Sequence, residues 1–123
     1  MPIVVRANNF VEEVLETQGP VLVDFFGENC MPCKMLQPIL AELCQDFSGF
    51  KLCMLNTDRE MNESDAEYEE KFKIIAAYEI MNLPTLMLFV DGEVRASTIG
   101  MQTRKELLAF FSKQNISLTP RPL

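Results

Sequence analysis

One stretch decides the fold of this chain: Val21-Leu22-Val23-Asp24-Phe25-Phe26-Gly27-Glu28-Asn29-Cys30-Met31-Pro32-Cys33-Lys34. Its first six residues are apolar except for Asp24, which predicts a buried β-strand, and the Gly-Glu-Asn after them predicts a turn. Pro32 then lies just inside an apolar-periodic segment, where proline is tolerated because the first N–H groups of a helix have no partner. We therefore expect Cys30 at a helix N-terminus, where those N–H groups and the helix dipole favour a thiolate.

The two cysteines of this stretch, Cys30 and Cys33, are three positions apart. A C-x-x-C pair between a strand and a helix is typical of a thiol–disulfide redox site. The same spacing also occurs in zinc sites, in cluster ligand pairs and in inert pairs. A four-cysteine zinc site would need a second close pair, but Cys44 and Cys53 are nine positions apart and the chain has no histidine. We interpret Cys44 and Cys53 as small core residues.

Further landmarks follow one another along nearly the whole chain. They are Val23-Asp24-Phe25-Phe26, Cys30-Met31-Pro32-Cys33-Lys34-Met35, Pro38-Ile39-Leu40, Leu55-Asn56-Thr57-Asp58, Leu83-Pro84-Thr85-Leu86, Asp91-Gly92-Glu93 and Gly100. In this order they resemble the thioredoxin family. The resemblance implies an α/β thioredoxin fold, which has three αβα layers around a central mixed β-sheet.

The hydrophobic patterns predict the same order of elements, βαβαβαββα, in one domain over residues 1–115. Asn8 or Asn9 is expected to cap the first helix. The second helix should run from Met31 to about Phe47, kinked by Pro38, and Ser64 with Glu67 forms a capping box for the third. Two apolar helix faces are predicted: Met35, Leu36, Ile39, Leu40, Leu43 and Phe47 on the second helix, and Tyr68, Phe72, Ile75 and Ala76 on the third. Residues 116–123 contain two prolines and are expected to form a loose tail.

The net charge of −7 argues against nucleic acid as a partner, since phosphate binding needs a basic patch. The acidic residues are concentrated in residues 58–71, which contain seven Asp or Glu and only two basic residues, Arg59 and Lys71. Relative to the family, this places an acidic insertion at about 59–71. A solvated helix face is the default interpretation of such a segment.

The sequence shows no basic-then-apolar leader and no apolar run of membrane-spanning length. We therefore expect a cytoplasmic protein with no membrane partner. In a reducing compartment, a close cysteine pair is more often catalytic than structural.

Cys30 is the expected nucleophile because it is nearer the turn and more exposed than Cys33. Its thiolate would attack a substrate disulfide to give a mixed disulfide, which Cys33 would then resolve. Asp24 is a carboxylate within an apolar strand, which is costly unless it is paired or protonated. It could instead be a solvated, turn-facing residue. The resemblance makes Asp24 a buried acid that exchanges a proton with the second cysteine.

Pro84 would be trans by default, but the resemblance implies a cis bond, with the preceding backbone facing Cys30 and pairing with an extended substrate. An apolar substrate-binding rim would surround it, formed by Met31, Pro32, Met81, Leu83 and Gly100. Methionines adapt to varied partners, although they are also common core residues. Lys34 could add positive charge near the thiolate, or could be an ordinary solvated lysine.

The chain departs from the family pattern at three positions of the site. Asn29 stands where the family has tryptophan before the first cysteine, and Met31 stands where glycine is usual. Met54 aligns with a lysine that lies near the buried acid in the family. The loss of that positive charge should raise the pKa of Asp24 further. These departures put in doubt which reductase recognises the protein.

We therefore predict a thiol–disulfide oxidoreductase that reduces protein disulfides and needs no bound cofactor or metal. Its partners would be disulfide-containing proteins and a thioredoxin reductase or another electron donor, and it would be a monomer. One alternative is a binding module of the same fold that docks a dedicated partner through the acidic helix and the rim. The other is a metal or iron–sulfur protein that uses Cys30 and Cys33.

Overall fold

A computed structural model describes all 123 residues of the chain. Its strands are β1 (Ile3–Val5), β2 (Pro20–Phe26), β3 (Phe47–Ser48), β4 (Lys51–Asn56), β5 (Thr85–Val90), β6 (Glu93–Ile99) and β7 (Thr119–Pro120). Its helices are a π-helical turn (Val11–Leu15), α1 (Met31–Asp46), α2 (Asp65–Ala77) and α3 (Arg104–Lys113). None of these helices has the length and apolar composition that a membrane span requires.

Five strands form one mixed sheet in the order β1-β4-β2-β5-β6. The apolar strand β2 lies at its centre, parallel to β4 on one side and antiparallel to β5 on the other. The sheet separates two hydrophobic cores because successive side chains of a strand point to opposite faces. Val21, Val23 and Phe25 contribute to the core under the π-helical turn and α2, and Leu22 contributes to the core under α1 and α3. The predicted three-layer thioredoxin fold is confirmed.

The helix α1 begins and ends close to its predicted bounds, and Pro38 lies within it without ending it. Its buried face is Cys33, Leu36, Leu40, Leu43 and Cys44, whereas Met35 is 53% exposed. The prediction that Met35 is buried was therefore wrong. Successive residues of a helix are rotated by about 100° about its axis. When the buried face is centred on Leu36 and Leu40, Met35 therefore points towards solvent.

The buried face of α2 is also shifted from the predicted one. The capping box between Ser64 and Glu67 is present, but Phe72 is 56% exposed and Lys71, beside it in sequence, is buried. A buried ammonium group needs a partner, and Lys71 has one in Glu63, at 2.8 Å between Nζ and Oε1. This pairing across a loop overrides the local apolar pattern.

The first helix is a single π-helical turn that no asparagine side chain caps. Asn9 instead ties this turn to the chain before it. Its Oδ1 accepts a hydrogen bond from the backbone N–H of Arg6, and its Nδ2 donates to the carbonyl of Val4. The predicted asparagine cap was therefore wrong, because the side chain bonds backwards in sequence.

The C-terminal residues differ from the loose tail that the prolines predict. Strand β7 pairs with β3, with Thr119 opposite Ser48 and Pro120 opposite Phe47. Arg121 adds a backbone hydrogen bond to the carbonyl of Asp46, at 2.8 Å, and its Nε donates to carbonyls at the end of α1. The tail is thus hydrogen-bonded to the C-terminus of α1.

Candidate active site

Cys30 and Cys33 form a disulfide at the start of α1, with their Cα atoms 5.2 Å apart. Cys30 is the N-cap residue in an extended conformation, and its Sγ accepts a hydrogen bond from the backbone N–H of Cys33 at 3.3 Å. Pro32 occupies the first turn, as expected. Cys33 is fully buried, whereas Cys30 is only partly buried. Cys30 is therefore the sulfur that a protein substrate can reach.

The loop that precedes Cys30 is fixed by the residues that follow β4. The backbone N–H of Glu28 donates to Oδ2 of Asp58 at 2.7 Å, and Oε1 of Glu28 accepts from the side chain of Asn56 at 2.9 Å. Thr57 extends the ladder by donating its N–H to the carbonyl of Phe26. The hydrophobic patterns of the sequence do not indicate these contacts. The polar run Asn-Thr-Asp directly after a buried strand was the available signal, since parallel strands end at the same sheet edge.

Asp24 lies near the end of β2, on the face of the sheet that α1 and α3 cover, as shown by its neighbour two residues back, Leu22. It has no solvent exposure, and neither of its carboxylate oxygens has a hydrogen-bond partner. The solvated, turn-facing alternative is therefore wrong. Burial raises the pKa of Asp24 from 3.8 to about 7, so both of its protonation states are populated near neutral pH.

The loop before β5 lies against the active-site loop. The Leu83–Pro84 peptide bond is cis, as the resemblance implied. A Cβ atom added to Gly27 would lie 3.0 Å from Cδ1 of Leu83, so the two loops are in close contact. On the other side, the carbonyl of Pro84 accepts a hydrogen bond from the N–H of Gly100 at 2.9 Å. Leu83, Pro84 and Gly100 are thus adjacent in the structure, with Leu83 and Gly100 partly exposed and Pro84 buried.

Two of the predicted rim residues are exposed methionines. Met31 is 65% exposed and Met81 is 85% exposed, so neither is a core residue. Pro32 is exposed as well, and Leu83 is partly buried. Lys34 is exposed and forms none of the ion pairs of the chain.

The other two cysteines lie apart from the site. Cys44 and Cys53 are free thiols, and both are buried. Burial raises the pKa of Cys53 to about 11 and also raises the pKa of Cys44, which makes both thiols poor nucleophiles. No group of three or more His, Cys, Asp or Glu side chains is arranged to hold a metal ion.

Comparison with known proteins gives one consistent result. A family model described as Thioredoxin matches residues 1–113. A thioredoxin of Pseudomonas aeruginosa is 39% identical over 103 residues, which cover 83% of this chain and 85% of the relative. A thioredoxin of Rickettsia felis is 39% identical over 110 residues, covering 89% and 94%. Thioredoxin C-2 of Corynebacterium nephridii is 39% identical over 108 residues, covering 88% and 90%.

Proposed function

The chain belongs to the thioredoxin family and is a thiol–disulfide oxidoreductase, and from this premise we propose that Cys30, Cys33 and Asp24 are its catalytic residues. The observation that carries the proposal is the bonded cysteine pair at the start of α1, with one sulfur accessible and the other buried. This asymmetry supports Cys30 as the attacking cysteine and Cys33 as the resolving cysteine.

In the first step, the thiolate of reduced Cys30 attacks one sulfur of a substrate disulfide. The Cys30–substrate S–S bond forms, the substrate S–S bond breaks, and the other substrate sulfur leaves as a thiolate that takes up a proton. The helix N-terminus favours the anionic form of the attacking sulfur. No net oxidation has yet taken place, because one disulfide has replaced another.

In the second step, the thiolate of Cys33 attacks Sγ of Cys30 and releases the second substrate sulfur. Cys33 must lose its proton first, and the carboxylate of Asp24 accepts it. A general base is most effective when its pKa lies near the working pH, and the pKa of Asp24 is about 7. The substrate leaves with two thiols, and the protein keeps the Cys30–Cys33 disulfide.

Substrate binding is assigned to the backbone next to the cis proline Pro84 and to the apolar side chains around it. An extended substrate segment can pair with the backbone at Leu83 in the manner of an added strand, which recognises main chain rather than sequence. Met31, Pro32, Met81 and Gly100 then provide an adaptable apolar surface. Lys34 is assigned an electrostatic role close to the thiolate.

The proposal extends to the cellular setting of the reaction. Protein disulfides are the substrates, and a thioredoxin reductase or another electron donor returns the pair to the dithiol state. The cytoplasm is a suitable compartment because its thiol pool keeps such pairs reduced. There the protein would take part in electron transport and in redox homeostasis as a monomer.

Insulin reduction with dithiothreitol as electron source tests the assignment. The wild type should accelerate precipitation of the insulin B chain, and Cys30→Ser should abolish the acceleration. Cys33→Ser should instead accumulate a mixed disulfide with the substrate, detectable by mass. Cys44→Ala serves as the control and should keep full activity. A folded wild type without any acceleration would contradict the proposal.

A further inference from the structure

The acidic insertion contains an ion pair that is buried although the segment around it is exposed. Nζ of Lys71 lies 2.8 Å from Oε1 of Glu63, and the two side chains are only 2% and 5% exposed. The same Oε1 accepts a hydrogen bond from the backbone N–H of Glu60 at 2.7 Å. The pair therefore closes the loop between β4 and α2.

Lys71 also reaches beyond the insertion. Its Nζ donates a second hydrogen bond to the backbone carbonyl of Asp58, the residue at which the acidic segment begins. The ring of Tyr68 lies 5.6 Å from Nζ and covers it, which adds a cation–π attraction. Lys71 thus holds the backbone of Asp58 from one side.

The side chain of Asp58 faces the other way, towards the loop before Cys30. Its Oδ2 accepts a hydrogen bond from the N–H of Glu28 at 2.7 Å, and Glu28 is two residues before Cys30. Asp58 is therefore held by Lys71 through its carbonyl and holds the active-site loop through its carboxylate.

We propose that Glu63 and Lys71 are positioning residues for Cys30, acting through Asp58 on the Gly27–Asn29 loop. The inference rests on the proposed role of Cys30 as nucleophile. Asp58 links the insertion to the active-site loop, so its placement sets where Cys30 sits relative to an incoming disulfide. Small displacements of a reacting group can slow a reaction by up to about a hundredfold.

Other charged pairs of the insertion lie at the surface and do not reach the active-site loop. Arg59 pairs with Asp65, whose side chains are 48% and 92% exposed, and Arg6 pairs with Glu60. Exposed pairs of this kind contribute little. Arg59 also donates a hydrogen bond to the carbonyl of Glu63 at 3.4 Å and lies over the ring of Tyr68. The matched control is therefore Lys73, which lies on the same helix as Lys71, is 64% exposed and pairs only with Glu70.

The test uses Lys71→Met, Asp58→Ala and the double variant Lys71→Met/Asp58→Ala. Two readouts need no protein substrate: the pH dependence of Cys30 alkylation by iodoacetamide, and the position of the Cys30–Cys33 equilibrium with glutathione. The insulin reduction rate is the third. Each single variant should lower that rate by about tenfold and shift the alkylation profile. The double variant should add nothing to Asp58→Ala, because Lys71 acts through Asp58.

Removal of one partner of a buried pair destabilises a protein, and replacement of both is often nearly neutral. Glu63→Gln/Lys71→Met therefore accompanies the single variants, and circular dichroism establishes that each variant is folded. Lys73→Gln should leave all three readouts unchanged. Folded variants with the wild-type alkylation profile and glutathione equilibrium would overturn the inference. A wild type inactive on insulin would contradict the proposed function instead, and the two substrate-free readouts would still decide the positioning role.

Discussion

Asp24 lies directly opposite Met54 in the parallel pair of β2 and β4, with both side chains on the face that α1 covers. The neighbour on the other side, in β5, is Leu86. The buried carboxyl group therefore has apolar partners on both adjacent strands and no cation beside it. This explains why burial alone sets the pKa of Asp24, at about 7.

A lysine at position 54 should reverse part of that shift. In Met54→Lys, an ammonium group on the same face would favour the carboxylate and lower the pKa of Asp24 below about 7. The measurement is the pH titration of the Asp24 carboxyl carbon by NMR. Met54→Leu, which adds no charge, should titrate like the wild type. An Asp24 titration that is unchanged by the lysine would contradict the prediction.

Asp24→Asn should stabilise the protein at high pH and leave its stability at low pH nearly unchanged. The pKa of Asp24 is raised in the folded state, so the folded protein binds more protons than the unfolded chain between pH 3.8 and about 7. Stability therefore falls as the pH rises through that window and is level above it. The free energy of unfolding falls by about 4 kcal/mol at most. The neutral amide introduced by Asp24→Asn avoids this loss. Urea unfolding at pH 4 and pH 8 measures the difference, and an equal effect at both values would refute the prediction.

Met81→Ser should weaken substrate binding without altering the cysteine chemistry. Met81 is 85% exposed beside the Leu83–Pro84 loop, so truncation removes apolar contact area but creates no cavity. We expect KM for insulin to rise by about fivefold, which is roughly the loss of one to two buried methylenes, with an unchanged reaction with dithiothreitol. Met61→Ser is the control, since Met61 is fully exposed in the acidic segment 58–71. Equal effects of the two substitutions would argue against a binding role for Met81.

Deletion of residues 119–123 should destabilise the protein. It removes the β3–β7 pairing and three hydrogen bonds from Arg121 to carbonyls at the end of α1. At about 1 kcal/mol for each hydrogen bond, the loss should be about 2 to 3 kcal/mol in urea unfolding. Deletion of only residues 122–123 retains these contacts and is the control. A stability unchanged by the longer deletion would show that the tail contributes nothing.

The parts of the fold that the sequence predicted are those where local pattern and burial agree. The runs in β2 and β5 are apolar except for Asp24 and Thr85, because both faces of the central sheet are covered. The capping box at Ser64 is readable because its two residues, Ser64 and Glu67, are three positions apart. The fold and the cysteine pair therefore followed from local signals together with the family resemblance.

The errors arose where a contact between distant residues determines the structure. Phe72 was assigned to the core of α2, but Lys71 occupies that position because Glu63 neutralises it from the preceding loop. The two prolines of residues 116–123 predict a loose tail, but the tail pairs with Phe47–Ser48, more than 70 residues earlier in the chain. Periodicity within one segment contains no information about such partners.

The two remaining cysteines lie on opposite sides of the central sheet, Cys44 in the core under α1 and Cys53 in the core under α2. A thiol reagent applied to the folded, oxidised protein should therefore find no target, and the folded, reduced form should take up a single label at Cys30, because Cys33 is fully buried. A label on Cys44 or Cys53 requires a core to open. Cys44 and Cys53 therefore report local unfolding of the two cores, one thiol for each core. The labels that they take up can be counted by mass.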